Sequence, residues 1–427
     1  MNDEAWLSRR GYVHFDRYIS KSNLLERVRD PEYVRSHGFM PFIGYDAEEP
    51  RYKPAERQVQ LKRRPIRFAT HLDSHIFAYY ASLLTPLFQA ELTKAGLGSQ
   101  VVAYRTHSEP KCNIHFANDA FEWIKERGPV VAFAIDIEGF FDSISHGLLK
   151  ERWQAVLGET TLPDDHYKVF RAITKYAWVS LNDLKDTLGF GRNRIEKSRK
   201  PYCKPQEFRK LIAKGKKIRV NKETKGIPQG SPISALLSNI AMFEFDKALD
   251  AFVSQNNGMY RRYSDDILVV LPIETSEGFE DYVEGVLKDT TRTLTINRGK
   301  TVVSTFTPDG SSLTCDVPLS YLGFDFDGQR KTVRPKTLAR FHRRMIQGIR
   351  SAKRAAIKAK NSGKESRIRK RELYERYSHL GKRNFISYAY RAAKIMEASE
   401  IRKQVRKHWL NLNQLIAEAQ LEVDEAQ

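Results

Sequence analysis

With 427 residues, 41% of them hydrophobic and 11% aromatic, the chain can bury substantial cores, which excludes a disordered tail protein. Its 72 Lys+Arg against 52 Asp+Glu leave a net charge of +20, and three widely spaced cysteines (Cys112, Cys203, Cys315) exclude a disulfide scaffold or a CxxC zinc site. The most apolar runs, near residues 130–135 and 267–273, fall far short of the ~18 residues of a membrane span. Met1-Asn2-Asp3-Glu4, with no apolar stretch behind it, argues against a secretory signal. The length predicts roughly two to three domains, and the expected setting is a reducing cytoplasm with no membrane partner.

In chain order, residues 44–67 are polar and basic and end in Lys62-Arg63-Arg64-Pro65-Ile66-Arg67. Between 72 and 92, Ile76, Tyr79, Tyr80, Leu83, Leu84 and Leu87 recur at helical spacing and predict a buried helix. Residues 130–137 predict a buried strand that runs into acidic and aromatic residues, then into a helix starting near Ser145. Residues 151–224 are mixed, with a basic stretch over 199–222. A helix is predicted over 236–249, and Gln255-Asn256-Asn257-Gly258 predicts a turn. Residues 259–271 then predict a hairpin of two strands with Ser264-Asp265-Asp266 between them.

The charge is concentrated at the C-terminal end. Residues 331–410 hold 25 Lys+Arg and 5 Asp+Glu, whereas the last 17 residues carry a net −4 and the first 330 a net +4. Leu338, Phe341, Met345 and Ile349 share one face of a predicted helix, with Arg343, Arg344, Arg350 and Arg354 elsewhere around it. Asn361-Ser362-Gly363 ends that helix, and further helices are predicted over 373–380 and 385–396. A solvated basic face is the plain reading of such a segment. A surplus this large, interleaved with Tyr and Phe, points instead to a polyanion such as nucleic acid.

Two carboxylate sites carry candidate chemistry. Asp136 ends an apolar strand, and Asp265-Asp266 sit in the turn of an apolar hairpin. A carboxylate at the edge of a buried strand is costly unless paired, hydrogen-bonded or metal-bound. Brought together, the two sites could hold a pair of magnesium or manganese ions, ~3.5–4 Å apart, of the kind that clamps phosphoryl transfer. Each Asp alone could equally be a turn or cap residue.

The surrounding blocks decide between these readings. Residues 134–144, Ala-Ile-Asp-Ile-Glu-Gly-Phe-Phe-Asp-Ser-Ile, resemble motif A of reverse transcriptases, and residues 226–234, Gly-Ile-Pro-Gln-Gly-Ser-Pro-Ile-Ser, resemble motif B of the bacterial members. Tyr263-Ser264-Asp265-Asp266 resembles their Tyr-x-Asp-Asp motif C, residues 294–301 with Lys300 resemble motif D, and Tyr321-Leu322-Gly323-Phe324 resembles motif E. The blocks arrive in family order over about 190 residues. The resemblance implies an α+β right-hand polymerase. Fingers are expected over 1–115, motif A of the palm over 116–150, a fingers/palm insertion over 151–224, the rest of the palm over 225–330, and a basic helical thumb with C-terminal helices over 331–427.

It also implies roles. Asp136, Asp265 and Asp266 are the expected catalytic metal ligands, with Ile137 as a further ligand position, for two magnesium or manganese ions. Phe141 matches the family's steric gate against a 2′-hydroxyl, the alternative being an ordinary core aromatic beside Phe140. Gln229, Gly230 and Tyr263 are expected at the nucleotide pocket. Arg64 matches a fingers arginine that contacts triphosphate, with Arg63 or Arg67 as alternatives. Lys300 either approaches the triphosphate or is structural. Arg343, Arg344, Arg350 and Arg354 are the expected nucleic-acid contacts of the thumb, gripping phosphates rather than reading sequence.

About 100 residues follow motif E, which leaves no room for an RNase H, integrase or homing-endonuclease domain. Group II intron enzymes share motif B but usually continue past the thumb. The retron signatures Asn-Ala-x-x-His and Val-Thr-Gly are missing. The block over 103–117 most resembles stand-alone bacterial reverse transcriptases linked to phage defence, whose members commonly copy a neighbouring non-coding RNA. The expected partners are therefore a structured non-coding RNA as template, dNTPs and a cDNA product. Retron or intron-type enzymes and untemplated or protein-primed DNA polymerases remain alternatives. An RNA polymerase on the same palm is opposed by Phe141 and by the turn Pro228-Gln229-Gly230. A non-catalytic binding protein is opposed by the intact aspartates.

Overall fold

The computed structural model describes residues 5–53, 58–105, 110–190, 200–310, 312–363 and 367–426. The polar, basic stretch ahead of residue 68 forms a long antiparallel ribbon of β1 (Phe42–Lys53) and β2 (Gln58–Phe68), in register from Ile43↔Phe68 to Lys53↔Gln58. α1 (His71–Lys94) follows, its N-terminus capped by the Thr70 hydroxyl, and buries Ile76, Phe77, Tyr80, Leu84, Phe88 and Leu92. α2 (Asn113–Arg127) leads to β3 (Val130–Asp136), and α3 (His146–Leu157) begins at Ser145, whose hydroxyl accepts from Leu148 N–H. β4 (Ala177–Ser180) and β5 (Arg219–Val220) extend the ribbon into a sheet ordered β2-β1-β4-β5.

The helix expected over 236–249 is two helices, α4 (Ser234–Ala241) and α5 (Phe243–Gln255). They are separated at Met242, whose N–H is shared between the Ser238 and Asn239 carbonyls at 3.3 and 3.2 Å, a local tightening of the helical ladder. β6 (Met259–Tyr263) and β7 (Asp266–Pro272) form the expected hairpin, but the turn itself is Ser264-Asp265 and Asp266 is the first residue of β7. α6 (Phe279–Thr291), β8 (Val302–Asp309) and β9 (Ser312–Cys315) complete the central sheet, ordered β6-β7-β3-β8-β9 and antiparallel throughout among the described residues.

Strand alternation divides this sheet between two cores. Val131, Phe133, Ile135, Ile267, Val269 and Leu271 enter the first, with α1 and α3 to α6. Val130, Ala132, Leu268, Val270 and Phe306 enter the second, with α2 and the C-terminal helices. Each fully buried Val, Leu, Ile or Phe contributes about 1.5–3 kcal/mol, so a one-residue slip of β3 would be prohibitive. Covered on both faces, β3 reads as a continuous apolar run. Asp136 and Asp266, continuing the series of Val130 and Ala132 and of Leu268 and Val270, fall on the face of the second core.

β10 (Leu319–Tyr321), β11 (Phe324–Phe326) and β12 (Lys331–Val333) form a small antiparallel sheet, followed by α7 (Pro335–Lys360), α8 (Lys370–Tyr377), α9 (Phe385–Ile395), α10 (Ser399–Val405) and α11 (His408–Glu425). α7 buries Phe341, Met345 and Ile349, and α11 buries Leu412, Ile416, Ala419 and Val423 in the same core. The acidic end of the chain lies against the basic helix. Lys353 pairs with Glu422, and Lys360 Nζ donates to the Val423, Asp424 and Ala426 carbonyls at 3.2, 2.8 and 2.6 Å.

Polar pins fasten these helices to α2 and to the small sheet. The Gln404 amide bonds both the N–H and the carbonyl of Val333, at 2.9 and 3.0 Å, like an added strand residue. Buried Lys331 donates to Asn118 at 2.7 Å, to the Met396 carbonyl at 3.1 Å and to Glu122. The architecture is α+β with mainly antiparallel sheets, as the sequence predicts. Among the described residues no helix is long and apolar enough to cross a membrane.

Candidate active site

Asp136 closes β3 and Asp266 opens β7, and the two face each other in the ladder, with Tyr263 opposite Asp266 on the other side. Asp265 stands in the turn between β6 and β7, immediately after Ser264, whose φ is 61°. Two strand ends thus deliver three carboxylates to one edge of the sheet. Asp266 presents an open edge to solvent. Desolvation by the protein around it and the charge of Asp265 nevertheless push its carboxyl up to about 6, Asp136 adding to the effect while Arg334 and Lys62 oppose it.

The expected motif D loop is stitched to the end of β3. Glu138 N–H donates to the Thr295 carbonyl at 2.9 Å and Asn297 N–H to the Asp136 carbonyl at 2.8 Å. In that antiparallel alternation the intervening Ile137 turns its own carbonyl the other way, towards the start of β7. Its side chain is buried, so the backbone oxygen is the group it can offer a metal. Lys300 Nζ donates to Asp136 Oδ2 at 2.5 Å.

Among the described residues no group of three or more His, Cys, Asp or Glu side chains is arranged as an ion site as it stands, and Asp136 is turned to Lys300. The donor chemistry nonetheless fits a hard divalent cation. The set is carboxylate and carbonyl oxygen, and the ionised Asp266 that desolvation and then the charge of Asp265 disfavour is the form that a bound cation would favour.

The motif B turn is fixed from two sides. Ile227 N–H donates to the Phe141 carbonyl at 2.9 Å and Gly226 N–H to the Ile144 carbonyl at 2.8 Å, which locks it to the one-turn helix Phe140–Ser143. Arg67 N–H donates to the Gln229 carbonyl at 2.7 Å, which locks it to the end of β2. Gly230, at φ +109°, passes so close to the Arg67 carbonyl that a Cβ would lie 2.8 Å from it. The two adjacent phenylalanines differ. Phe140 is buried in the first core, whereas Phe141 keeps part of its ring accessible, 5.3 Å from that of Phe140.

The three candidate arginines of β2 occupy different settings. Arg67 is buried and stacked 3.8 Å over Trp178. Arg63 pairs with Glu48 at 3.2 Å. Arg64 is exposed and shares a strand face with Lys62, the residue whose charge is felt at Asp266. Arg343, Arg344, Arg350 and Arg354 are all exposed along α7, away from its apolar stripe. Arg340 of the same helix pairs with Glu49 of β1, so the helix and the ribbon meet across the cleft.

Arg334 carries no signal in the motif reading, and Tyr321 and Tyr104, which lie in the motif E and 103–117 blocks, have no role assigned there. Arg334 precedes α7 and faces Asp266, and its neighbour Pro335 announces only a helix start. Tyr321 places a buried hydroxyl, without a hydrogen-bond partner among the described residues, within the field of Asp266, and desolvation first and that charge second raise its pKa. Tyr104, at φ 57°, sets an exposed ring 6.4 Å from that of Tyr263.

Residues 100–326, more than half of the chain, match the family model described as reverse transcriptase (RNA-dependent DNA polymerase). No curated protein matches the chain. Among solved structures, apo telomerase from Candida tropicalis is similar at 11% identity and a TM-score of 0.38, covering 73% of this chain and 49% of that one. Telomerase from Candida albicans in complex with the TWJ fragment of telomeric RNA is similar at 11% identity and a TM-score of 0.38, covering 93% of this chain and 65% of that one. The chain therefore spans about half the length of the Candida tropicalis protein, at 49%.

Proposed function

The chain belongs to the reverse transcriptase family, and we propose that it is an RNA-directed DNA polymerase that copies a structured non-coding RNA into cDNA from dNTPs. The observation that carries this reading is the register of Asp136 against Asp266, with Asp265 in the adjoining turn, on the sheet face bordered by α2 and the basic C-terminal helices. In this reading 1–115 and 151–224 serve as fingers, 116–150 and 225–330 as palm, and the helices from 331 onward as thumb.

Asp136, Asp265, Asp266 and the Ile137 carbonyl would hold two magnesium or manganese ions. When bound, these supply a lowered pKa at the primer 3′-hydroxyl and offset the charge of the leaving pyrophosphate. Lys300 exchanges its Asp136 partner for the triphosphate, and Arg64 gives a guanidinium fork to phosphate oxygens from the strand face it shares with Lys62. The accessible edge of Phe141 would exclude a 2′-hydroxyl from the nucleotide pocket. Gln229, Gly230 and Tyr263 shape the nucleotide pocket. The exposed arginines of α7 grip the duplex backbone, which gives affinity without sequence preference.

Selectivity for one RNA must then come from shape, read by the thumb and the basic stretches 199–222 and 62–67. Of the 199–222 stretch, Arg199 lies outside the described residues. The block over 103–117 supports a place among the stand-alone bacterial enzymes, acting in the cytoplasm in antiviral defence. The test is to sequence the RNA that copurifies with the protein and the DNA made in cells. One dominant non-coding RNA with cDNA mapping to it supports the proposal. A scatter of messenger and ribosomal RNA, with cDNA to match, refutes it.

A further inference from the structure

Beneath the turn that carries Asp265 lies a closed group of polar side chains that touches no solvent. Arg262 of β6 donates Nε and Nη2 to the two carboxylate oxygens of Asp246 on α5, both at 2.6 Å. Its Nη1 donates to Asn239 Oδ1 on α4 at 3.0 Å and to the Ser264 carbonyl at 3.2 Å. The Tyr260 hydroxyl donates to Asp246 at 2.6 Å. Asn239 is a second junction, because its Nδ2 donates to the Ala103 carbonyl at 2.9 Å. The Arg262 backbone completes that contact, its N–H donating to the Gln100 carbonyl at 2.8 Å and its carbonyl accepting from Val102 N–H at 3.0 Å. Arg262, Asp246 and Asn239 are each 0% exposed.

A residue that the group bonds, and the neighbour of another, have left-handed backbones. Ser264, at φ 61°, comes immediately before Asp265, and Tyr104, at φ 57°, comes immediately after Ala103. Such conformations are uncommon for residues other than glycine and persist where the surroundings over-determine them. A buried ion pair is a poor source of stability compared with apolar residues of similar volume. An arginine, a carboxylate and an amide placed where leucines would serve, each bonded to the backbone or side chain that fixes a strained corner, therefore point to a demand for geometry.

We propose that Asp246, Arg262 and Asn239 are a positioning unit that holds the Ser264 carbonyl and the Tyr104 corner. The unit thereby sets the Asp265 carboxylate and an aromatic floor of Tyr104 and Tyr263 beneath the primer strand end. The unit itself meets neither nucleotide nor metal; it acts through the turn. The inference rests on the reading of the three carboxylates as a polymerase centre.

The decisive variant is Arg262→Lys, because an ammonium keeps the charge beside Asp246 but cannot fork to Ser264 and Asn239. The companion is Asp246→Leu with Arg262→Met, which removes both charges together and should still melt cooperatively, the relieved desolvation offsetting in part the Tyr260 hydroxyl and Asn239 oxygen left without partners. Three quantities are read: thermal melting, Mn2+ affinity by electron paramagnetic resonance without nucleotide, and kcat and KM for dTTP on poly(rA)/oligo(dT). Both variants should fold, lose about 100-fold in kcat with dTTP KM within a few-fold of wild type, and bind Mn2+ several-fold more weakly. Should neither melt cooperatively, Asn239→Ala, which removes no charge, replaces them with the same expected losses. Tyr104→Ala should raise KM for the primer–template and leave Mn2+ affinity unchanged. Wild-type kcat and Mn2+ affinity in a folded variant overturn the proposal. Mn2+ affinity is read without turnover, so a wild-type protein inactive in extension would refute the polymerase reading alone. The ratio of Mn2+ affinities would still decide this one.

Discussion

Gly230→Ala probes the junction between the β1–β2 ribbon and the proposed nucleotide pocket through a single methyl group. At φ +109° an alanine meets backbone strain of about 1–3 kcal/mol. Its Cβ would also lie 2.8 Å from the Arg67 carbonyl oxygen, with the Ile66 Cγ2 at 3.4 Å closing the other side. Relief requires a few tenths of an ångström of separation between β2 and the motif B turn. That weakens the 2.7 Å bond from Arg67 N–H to the Gln229 carbonyl, whose net worth is about 0.5–1.5 kcal/mol. The sum, roughly 2–4 kcal/mol, should lower the melting temperature of a chain this long by roughly 2–5 °C. Because the same bond ties Arg64 on β2 to the pocket formed with Gln229, the KM for dNTP should rise about tenfold, while primer–template affinity stays near wild type. Calorimetry and steady-state extension on one template read both effects. An alanine variant with wild-type melting and wild-type KM would refute the idea that this contact sets the pocket.

Other perturbations separate the remaining roles. The Asp266 carboxyl is raised from 3.8 to about 6, so its ionised form is penalised in the folded protein, fully above about pH 6 and not at all below about pH 4. Asp266→Asn should therefore melt higher than wild type at pH 7.5 without divalent cations. The gain is about 1 kcal/mol, discounted because the carboxylate edge is open to solvent, and it should vanish by pH 4. A gain that persists at pH 4 would show that the cost of ionising Asp266, by desolvation first and the charge of Asp265 second, is not its cause. Phe141→Ala should increase the ratio of rNTP to dNTP incorporation on one template, and an unchanged ratio would make the ring a packing residue. Changing Arg343, Arg344, Arg350 and Arg354 together to Gln should weaken RNA binding for all sequences and reduce the slope of log affinity against log salt by about one unit per lost contact. An unchanged slope would mean that this face of α7 meets solvent in the complex.

The parts of the fold legible in the sequence are those where one physical demand dominates. β3 lies between two cores, so its apolar run reads as a buried strand; α7 buries one stripe, and α1, buried all round over 73–78, keeps a stripe of Tyr80, Leu84, Phe88 and Leu92 beyond, so their spacing reads as helix. The β1–β2 ribbon is illegible because Glu48, Arg63 and Arg64 stand in solvent on a structure with little core behind it, and alternation has no cause. The break at Met242 leaves no trace, since residues on both sides of it are apolar and helix-forming. At the site, the aspartates and the motif B turn are contiguous words in the chain. The Asp246–Arg262–Asn239 group is three separate residues on three elements, and nothing in the sequence sets Asp246 apart from Glu244 and Asp250 on the same helix. The Lys300–Asp136 contact joins residues far apart in sequence, and only the folded loop brings them together.

The most direct test of the central claim is extension of a labelled DNA primer on an RNA template by purified protein, with magnesium and either dNTPs or rNTPs. The wild type is run beside Asp136→Asn and Asp265→Asn, variants whose folding is verified by melting. Two-metal DNA synthesis at these carboxylates predicts dNTP-dependent extension by the wild type and its loss in both variants. Wild-type extension rates in either folded variant, or extension by rNTPs in preference to dNTPs, would contradict it.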